Sequence, residues 1–457
     1  MGEDYKLELG IISLIPIIIC LVLILVTKNA FVSILSGLIS ASIIIITVDG
    51  TQFTVINSIV EIATNPYQFK IIGFVVLTGA LVSAMQLSGG IDGVINLLQK
   101  GRKRTNSKVM GQLFTMLIGI LMFMDGTSSM AITAVVGKVI FKQLKLPKEK
   151  LALIVNSTAA PIAWIIPFGG AAAMVAGALT EAGVPAGESF TYVVKAIGFQ
   201  FYTILLLIII ALSVILNKDF KAIRKSEYKE EDLEELDSKN KKAINMLLPI
   251  SVLIISIFIM LFYTGNGKLL DGDGATAVFT SGCISLFITV IFYRIQNLGT
   301  FDTILSWVFI GMKNMLEIAI LLIVAFAFGG VIQKIGTAEY LVQITEFIPT
   351  TILPLAVLML SAIIAFTTGT SSGTVAIMIP LVIPMIIASG GSIPLTIGAV
   401  VSGAVFGDQN SVISDSVIMT SSMTGVEPIR HVKTQLPYTL LSLGISAVLF
   451  LICGFIF

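Results

Sequence analysis

The chain has 457 residues, 56% of them hydrophobic and 12% charged, with a net charge of +1 and a mean hydropathy of +1.00. Soluble domains carry about 25% charged residues, so the composition excludes an ordinary water-soluble protein. The near-neutral charge also argues against a nucleic-acid partner. Charge is clumped: segments 9–26 and 203–216 carry none, whereas 217–242 is almost entirely polar. The lipid core offers no partner for free backbone N–H and C=O groups, so long apolar runs cross it as helices. The expected class is an all-α membrane protein embedded in a lipid bilayer. Cys20, Cys283 and Cys453 stand singly in apolar stretches and read as packing hydrophobes. With one histidine, His431, there is no Cys/His cluster, and no cofactor or protein-ligated zinc or iron is expected.

In chain order, the apolar runs predict spans near 9–27, 29–48, 70–88, 109–141, 149–181 and 189–216. After the polar segment come 244–264, 275–294, 310–332, 351–389, 394–424 and 434–457. The first run lacks a basic leader and a small-residue cleavage site, and reads as a retained helix. Segments 109–141 and 351–389 are too long for one crossing. Each has a polar, glycine-containing interruption, Asp125-Gly126-Thr127-Ser128-Ser129 and Thr368-Gly369-Thr370-Ser371-Ser372-Gly373. Limbs of about 15 to 18 residues go part-way into the bilayer and return. Lys100, Arg102, Lys103, Arg104 and Lys108 precede the first, and Lys142, Lys145, Lys148 and Lys150 follow it. Basic residues collect on the cytoplasmic side, which predicts a re-entrant hairpin entered from the cytoplasm. The second long segment has no flanking charge and reads as a hairpin entered from outside.

The linker 217–243 and the loop at Arg430–Lys433 are then cytoplasmic, and no chemistry is assigned to either. Five crossings plus one hairpin per half would place the second half upside down relative to the first. The expected organisation is two inverted repeats: 1–216 with its broken helix 149–181, and 244–457 with its broken helix 394–424. The run 125–140, DGTSSMAITAVVGKVI, lies without gaps over 368–383, TGTSSGTVAIMIPLVI. Downstream, Asn156-Ser157-Thr158-Ala159-Ala160-Pro161 parallels Asn410-Ser411-Val412-Ile413-Ser414-Asp415, predicting a helix broken at an Asn-Ser in each half. Inverted repeats with discontinuous helices point to a transport site near the midplane.

Irregular backbone at membrane depth is tolerated where it lines a cavity or is buried in protein. Freed carbonyls, hydroxyls and the Asn156 and Asn410 amides form an all-oxygen set suited to a hard cation such as Na+. Asp125, Asn156, Asp408 and Asn410 are the candidate Na+ ligands. The adjoining helix N-termini favour an anionic substrate group. Gly126, Thr127, Ser128, Ser129, Ser157, Thr158, Thr368, Gly369, Thr370, Ser371, Ser372, Gln409, Ser411 and Asp415 complete the candidate binding set. Carboxylates in apolar segments (Asp125, Glu317, Asp408, Asp415) are costly and read as functional; the plainer alternative is a salt bridge or cap involving Lys138 or Lys313. Gly369-Thr370-Ser371-Ser372-Gly373 also matches the G-x-S-x-G nucleophile pattern, but that motif needs a strand–turn–helix setting and a histidine base. An intramembrane serine hydrolase and a channel are therefore kept only as alternatives.

At these residues the chain resembles the NhaC family of bacterial antiporters, in the ion-transporter superfamily. The matching pieces are Phe123-Met124-Asp125, Lys150-Leu151-Ala152 through Pro161, Thr368–Thr374, Gly403–Ser411 with Ile413-Ser414-Asp415, and Thr434-Gln435-Leu436-Pro437-Tyr438. The resemblance implies a secondary transporter of the bacterial plasma membrane. It would exchange Na+ and H+, or small organic carboxylates or amino acids, with Na+ as coupling ion, elevator-like movement and a homodimeric scaffold. The family usually has two adjacent acids where this chain has Asp125-Gly126, histidine at Gln409, and Ser-Pro at Ser411-Val412. Loss of an acid and an imidazole removes two proton carriers and favours sodium-coupled movement of an organic solute.

Overall fold

The computed structural model describes residues 9–27, 29–49, 55–90, 93, 107–121, 123, 126–226, 242–268, 272–337, 340 and 351–457. Asp125, Asp271 and most of the linker lie outside them. Among the described residues there is helix and no strand. The first half contains α1 (Ile15–Thr27), α2 (Ala30–Asp49), α3 (Val55–Thr64), α4 (Pro66–Leu87), α5 (Lys108–Leu121), α6 (Gly126–Leu144), α7 (Lys148–Ile165), α8 (Gly170–Glu181), α9 (Ala186–Ala196) and α10 (Phe201–Ile215). The second contains α11 (Ile244–Thr264), α12 (Gly274–Ile295), α13 (Phe301–Asn314), α14 (Leu316–Lys334), α15 (Leu353–Thr368), α16 (Ser371–Ser389), α17 (Ile393–Asn410), α18 (Asp415–Thr424) and α19 (Pro428–Ile456).

Seven helices are long and apolar enough to cross a bilayer, and up to nine if each bent pair counts as one span. Large apolar side chains face outward along them, among them Ile255, Phe258, Phe287 and Val448. That is the inverse of a soluble surface and fits a multi-pass membrane protein. Short helices α3 and α13, each just ahead of a long one, escape a reading by apolar runs. Segment 189–216 is a pair bent by 42°, α9 against α10.

Helices of the two halves pack on one another. α4 packs on α12 and α13, while α14 packs on α2 and α3. Likewise α6 packs on α18 and α16 on α8. Two crossings bring backbones into contact. A Cβ on Gly79 of α4 would stand 2.5 Å from the Gly311 carbonyl of α13. On α17, Gly403 and Gly407 lie one turn apart, and a Cβ on either would come within 2.4 Å of an α15 carbonyl, Leu358 or Ala362. Small residues at such spacing let membrane helices approach closely, where dispersion is the main attraction.

One end of the bundle is fastened by charge. Lys150, 2% exposed at the start of α7, donates to Ser213 of α10 at 2.9 Å and pairs with Asp219 just beyond α10. Tyr438 of α19 donates to the same carboxylate at 2.8 Å. Beside them Arg430 meets buried Glu149 at 2.6 Å. Thus the α6–α7 junction, the start of the linker and the start of α19 share one end, and the linker's first residues are part of the folded body. Asp219→Ala would leave the Lys150 ammonium buried without its carboxylate, a loss on the order of 3 kcal/mol. Glu61→Ala, at the exposed Glu61–Lys334 pair, should cost under about 1 kcal/mol. Thermal unfolding midpoints in detergent would check the order of the two.

Candidate ion and substrate site

The hairpin α15–α16 turns at Gly369, whose φ of +70° is the left-handed conformation that glycine adopts freely. Thr370 then caps α16, accepting from the Gly373 N–H at 3.2 Å. A Cβ at Gly369 would stand 3.0 Å from the Ile413 carbonyl oxygen and from the Ser414 Cα, so the tip rests against the break between α17 and α18. Asp408, 7% exposed, lies at that contact. Its Oδ2 accepts from Ser371 Oγ at 2.9 Å, and its Oδ1 from Ser416 Oγ at 3.0 Å and from Ser414 Oγ. Ser414 also caps α18 through the Ser416 and Val417 N–H groups. One carboxylate thus gathers three hydroxyls from the starts of two helices, whose N-terminal dipoles point the positive end at it. Among the described residues no basic side chain pairs with Asp408, which leaves its charge open to a cation.

A second polar locus adjoins the first through Gln409. The Gln409 Nε2 donates to the Asn156 backbone carbonyl at 2.7 Å, and its Oε1 accepts from Tyr202 OH at 2.7 Å. The Asn156 Nδ2 faces Gln435 Oε1 at 3.2 Å and His431 Nε2 at 3.1 Å. Gln435 Nε2 in turn donates to the Gln409 carbonyl. Asn410 donates to the Phe406 carbonyl at 2.7 Å, and its Oδ1 accepts from Thr439 at 2.8 Å. These side chains come from α7, α10, α17 and α19, and each is buried.

Two expectations are corrected here. α7 is not broken at Asn156-Ser157: it runs on to Ile165, and the break falls at 166–169, with α8 leaving at 43°. The break is set by Pro167, whose ring drives the preceding Ile166 to extended backbone (φ −77°, ψ 120°). In the second half the break does follow Asn410, so the two Asn-Ser pairs are not structural equivalents. The second correction concerns His431, which is no loop residue. Pro428 starts α19 early enough to place it fully buried beside Asn156.

Of the remaining candidates, Asp125 lies outside the described residues, as do the side chains of Thr127 and Ser128 within α6. Gly126 begins α6. Ser129 donates to the Gly119 carbonyl at 3.1 Å, and Thr158, which donates within α7 to the Ile154 carbonyl at 2.8 Å, packs against Gly119 of α5, so both lie at the α5–α6–α7 crossing. Ser157 and Thr368 are buried, with hydroxyls that meet no partner among the described residues. Ser372 stands half-buried on α16, and Ser411 is buried at the end of α17, its N–H on the Asp408 carbonyl at 3.2 Å. Asp415 and Glu317 are exposed, each in the first turn of its helix, where a carboxylate complements the dipole. Ser414, Ser416, Tyr202, His431 and Gln435 escaped the sequence reading. The α19 residues carried a usable signal: His431, Gln435, Tyr438, Ser442 and Ser446 recur at helical spacing and form one buried polar stripe.

A bundle of membrane-spanning helices, with two interrupted hairpins and an oxygen-rich polar seam in its interior, is the architecture of a secondary transporter. The chain belongs to the Na+/H+ antiporter family, whose model matches residues 182–455. It is 27% identical to an uncharacterized protein of Haemophilus influenzae over 97% of this chain and 91% of that one. It is 35% identical to the malate-2H(+)/Na(+)-lactate antiporter of Bacillus subtilis over 148 residues, 32% of each chain. In fold it is similar to the YdaH transporter of Alcanivorax borkumensis, with TM-score 0.69, 15% identity and 90% of both chains covered.

Proposed function

We propose that this antiporter is sodium-coupled, exchanging a small organic carboxylate or amino acid by alternating access. The observation that carries this reading is Asp408, buried with no basic partner among the described residues and ringed by Ser371, Ser414 and Ser416. A carboxylate with hydroxyl oxygens is a hard ligand set that suits Na+. The N-termini of α16 and α18 beside it suit a substrate carboxylate, so cation and anion would stabilise each other. Gln409 supports an organic substrate over a proton: its amide carries no exchangeable charge, and both its ends are already hydrogen-bonded. Sodium/proton exchange is the second reading, favoured by the Asp408 carboxylate, which can hold a cation or a proton in turn.

In this reading the two halves are inverted repeats, and α5–α8 with α15–α18 move as an elevator body against α1–α4 and α11–α14, within a homodimer. The charged end carrying Lys150, Asp219 and Arg430 faces the cytoplasm. The test is uptake into proteoliposomes under a sodium gradient, with a pH-sensitive dye inside and a panel of labelled carboxylates and amino acids. Sodium-driven accumulation of one labelled solute with a silent dye is the expected result. Dye movement driven by sodium alone, with no solute accumulated, would replace it with cation/proton exchange.

A further inference from the structure

We propose that His431 and Gln435 are positioning residues that lock the Asn156 side-chain amide in one orientation, so that its carbonyl oxygen is presented to the transported cation. This rests on the reading above that a cation binds in the polar seam. The polarity of the network follows from one fixed point. The Gln409 backbone carbonyl can only accept, so the Gln435 nitrogen donates to it and the Gln435 oxygen must accept from Asn156. The same Asn156 nitrogen has a second N–H, which His431 Nε2 takes. That nitrogen must then be the bare one, and the ring proton sits on Nδ1. With both N–H groups engaged, the amide is held through its nitrogen alone.

What it leaves open is oxygen. Asn156 Oδ1 and the adjacent Ser157 Oγ are buried and meet no partner among the described residues. One turn on, Pro161 has no N–H to return to the Ser157 carbonyl. Two side-chain oxygens on one turn of α7 therefore lack the partner that burial normally demands, beside a carbonyl that has lost its helical N–H, and a cation meets that demand. A flipped Asn156 would put an NH2 among them and repel it. The α19 pair guards against the flip, although neither residue touches the cation.

The experiment uses purified full-length protein in proteoliposomes, following radiolabelled sodium, with the sodium-dependent rise in thermal unfolding midpoint as a second readout. Loss of an outer-shell partner typically weakens metal binding 10–100-fold. His431→Leu and Gln435→Leu should each raise the KM for sodium by about tenfold or more, leave the maximal rate within about twofold, and shrink the sodium-induced shift in midpoint. His431→Gln, which keeps an acceptor oxygen, should recover most of the affinity. The proposal is overturned if either leucine variant keeps the wild-type KM, or if His431→Gln is as impaired as His431→Leu. A leucine variant that unfolds leaves the decision to the other and to His431→Gln. If the wild-type protein itself shows no sodium-dependent flux, the functional reading fails, and that outcome is distinct from a positional failure.

Discussion

Asp408→Asn is expected to abolish sodium-driven transport while the protein still purifies as a folded species. The substitution keeps the size of the side chain and two of its hydrogen-bonding capacities but removes the charge. Truncating one partner of a buried charged interaction costs about 2–5 kcal/mol, so the fall should be about thirtyfold to several thousandfold. Ser371→Ala, which removes one hydroxyl from the ring around Asp408, should cost about 1 kcal/mol, or fivefold. Initial rates of sodium-dependent uptake, with circular dichroism as a folding control, would separate the two. Full activity in Asp408→Asn would remove the carboxylate from the mechanism.

Gly403→Leu should act on folding. A Cβ there already meets the Leu358 carbonyl oxygen at 2.2 Å, and a backbone atom cannot move aside as a side-chain tip can. Overpacking a well-formed core costs about 1–3 kcal/mol, and a whole isobutyl group against backbone would force α15 and α17 apart. The expected result is loss of the monodisperse peak on size-exclusion chromatography. Gly444→Leu, on a face of α19 with nothing within 4 Å, should leave that peak intact. Because α15 carries the hairpin tip and α17 carries Asp408, survivors of the first substitution should also transport poorly.

Much of the second-half locus is legible in the sequence, because there chemistry and helix boundaries coincide. Gly369-Thr370-Ser371 announces a turn and a cap, and Asp408 is a charge in an apolar run. Ser414 and Ser416 flank Asp415 as a helix-start signature, yet a cap and a ligand look alike without the fold. The first-half locus is harder to read. Matching Asn156-Ser157 to Asn410-Ser411 by residue type misplaces the break by nine residues, since the helix stops where Pro167 forces Ile166 to extended backbone, not where a polar pair occurs. His431 is concealed by its neighbours: Arg430 and Lys433 give the segment the charge of a loop, although Arg430 is spent on Glu149. The polar stripe of α19 emerges only when positions are read around the helix instead of along the chain.

The exchange of partners between the halves bears on how the protein is made. α4 lacks α12 and α13 when it emerges from the ribosome, α6 lacks α18, and Asn156 lacks the α19 residues that hold its amide. The first half therefore enters the membrane with its close-packing glycines and buried polar groups unmatched, and waits in that condition until the C-terminal helix arrives. Among the described helices α19 follows all the others in the chain and closes the polar seam, so loss of its first turns strikes the assembly of the interior.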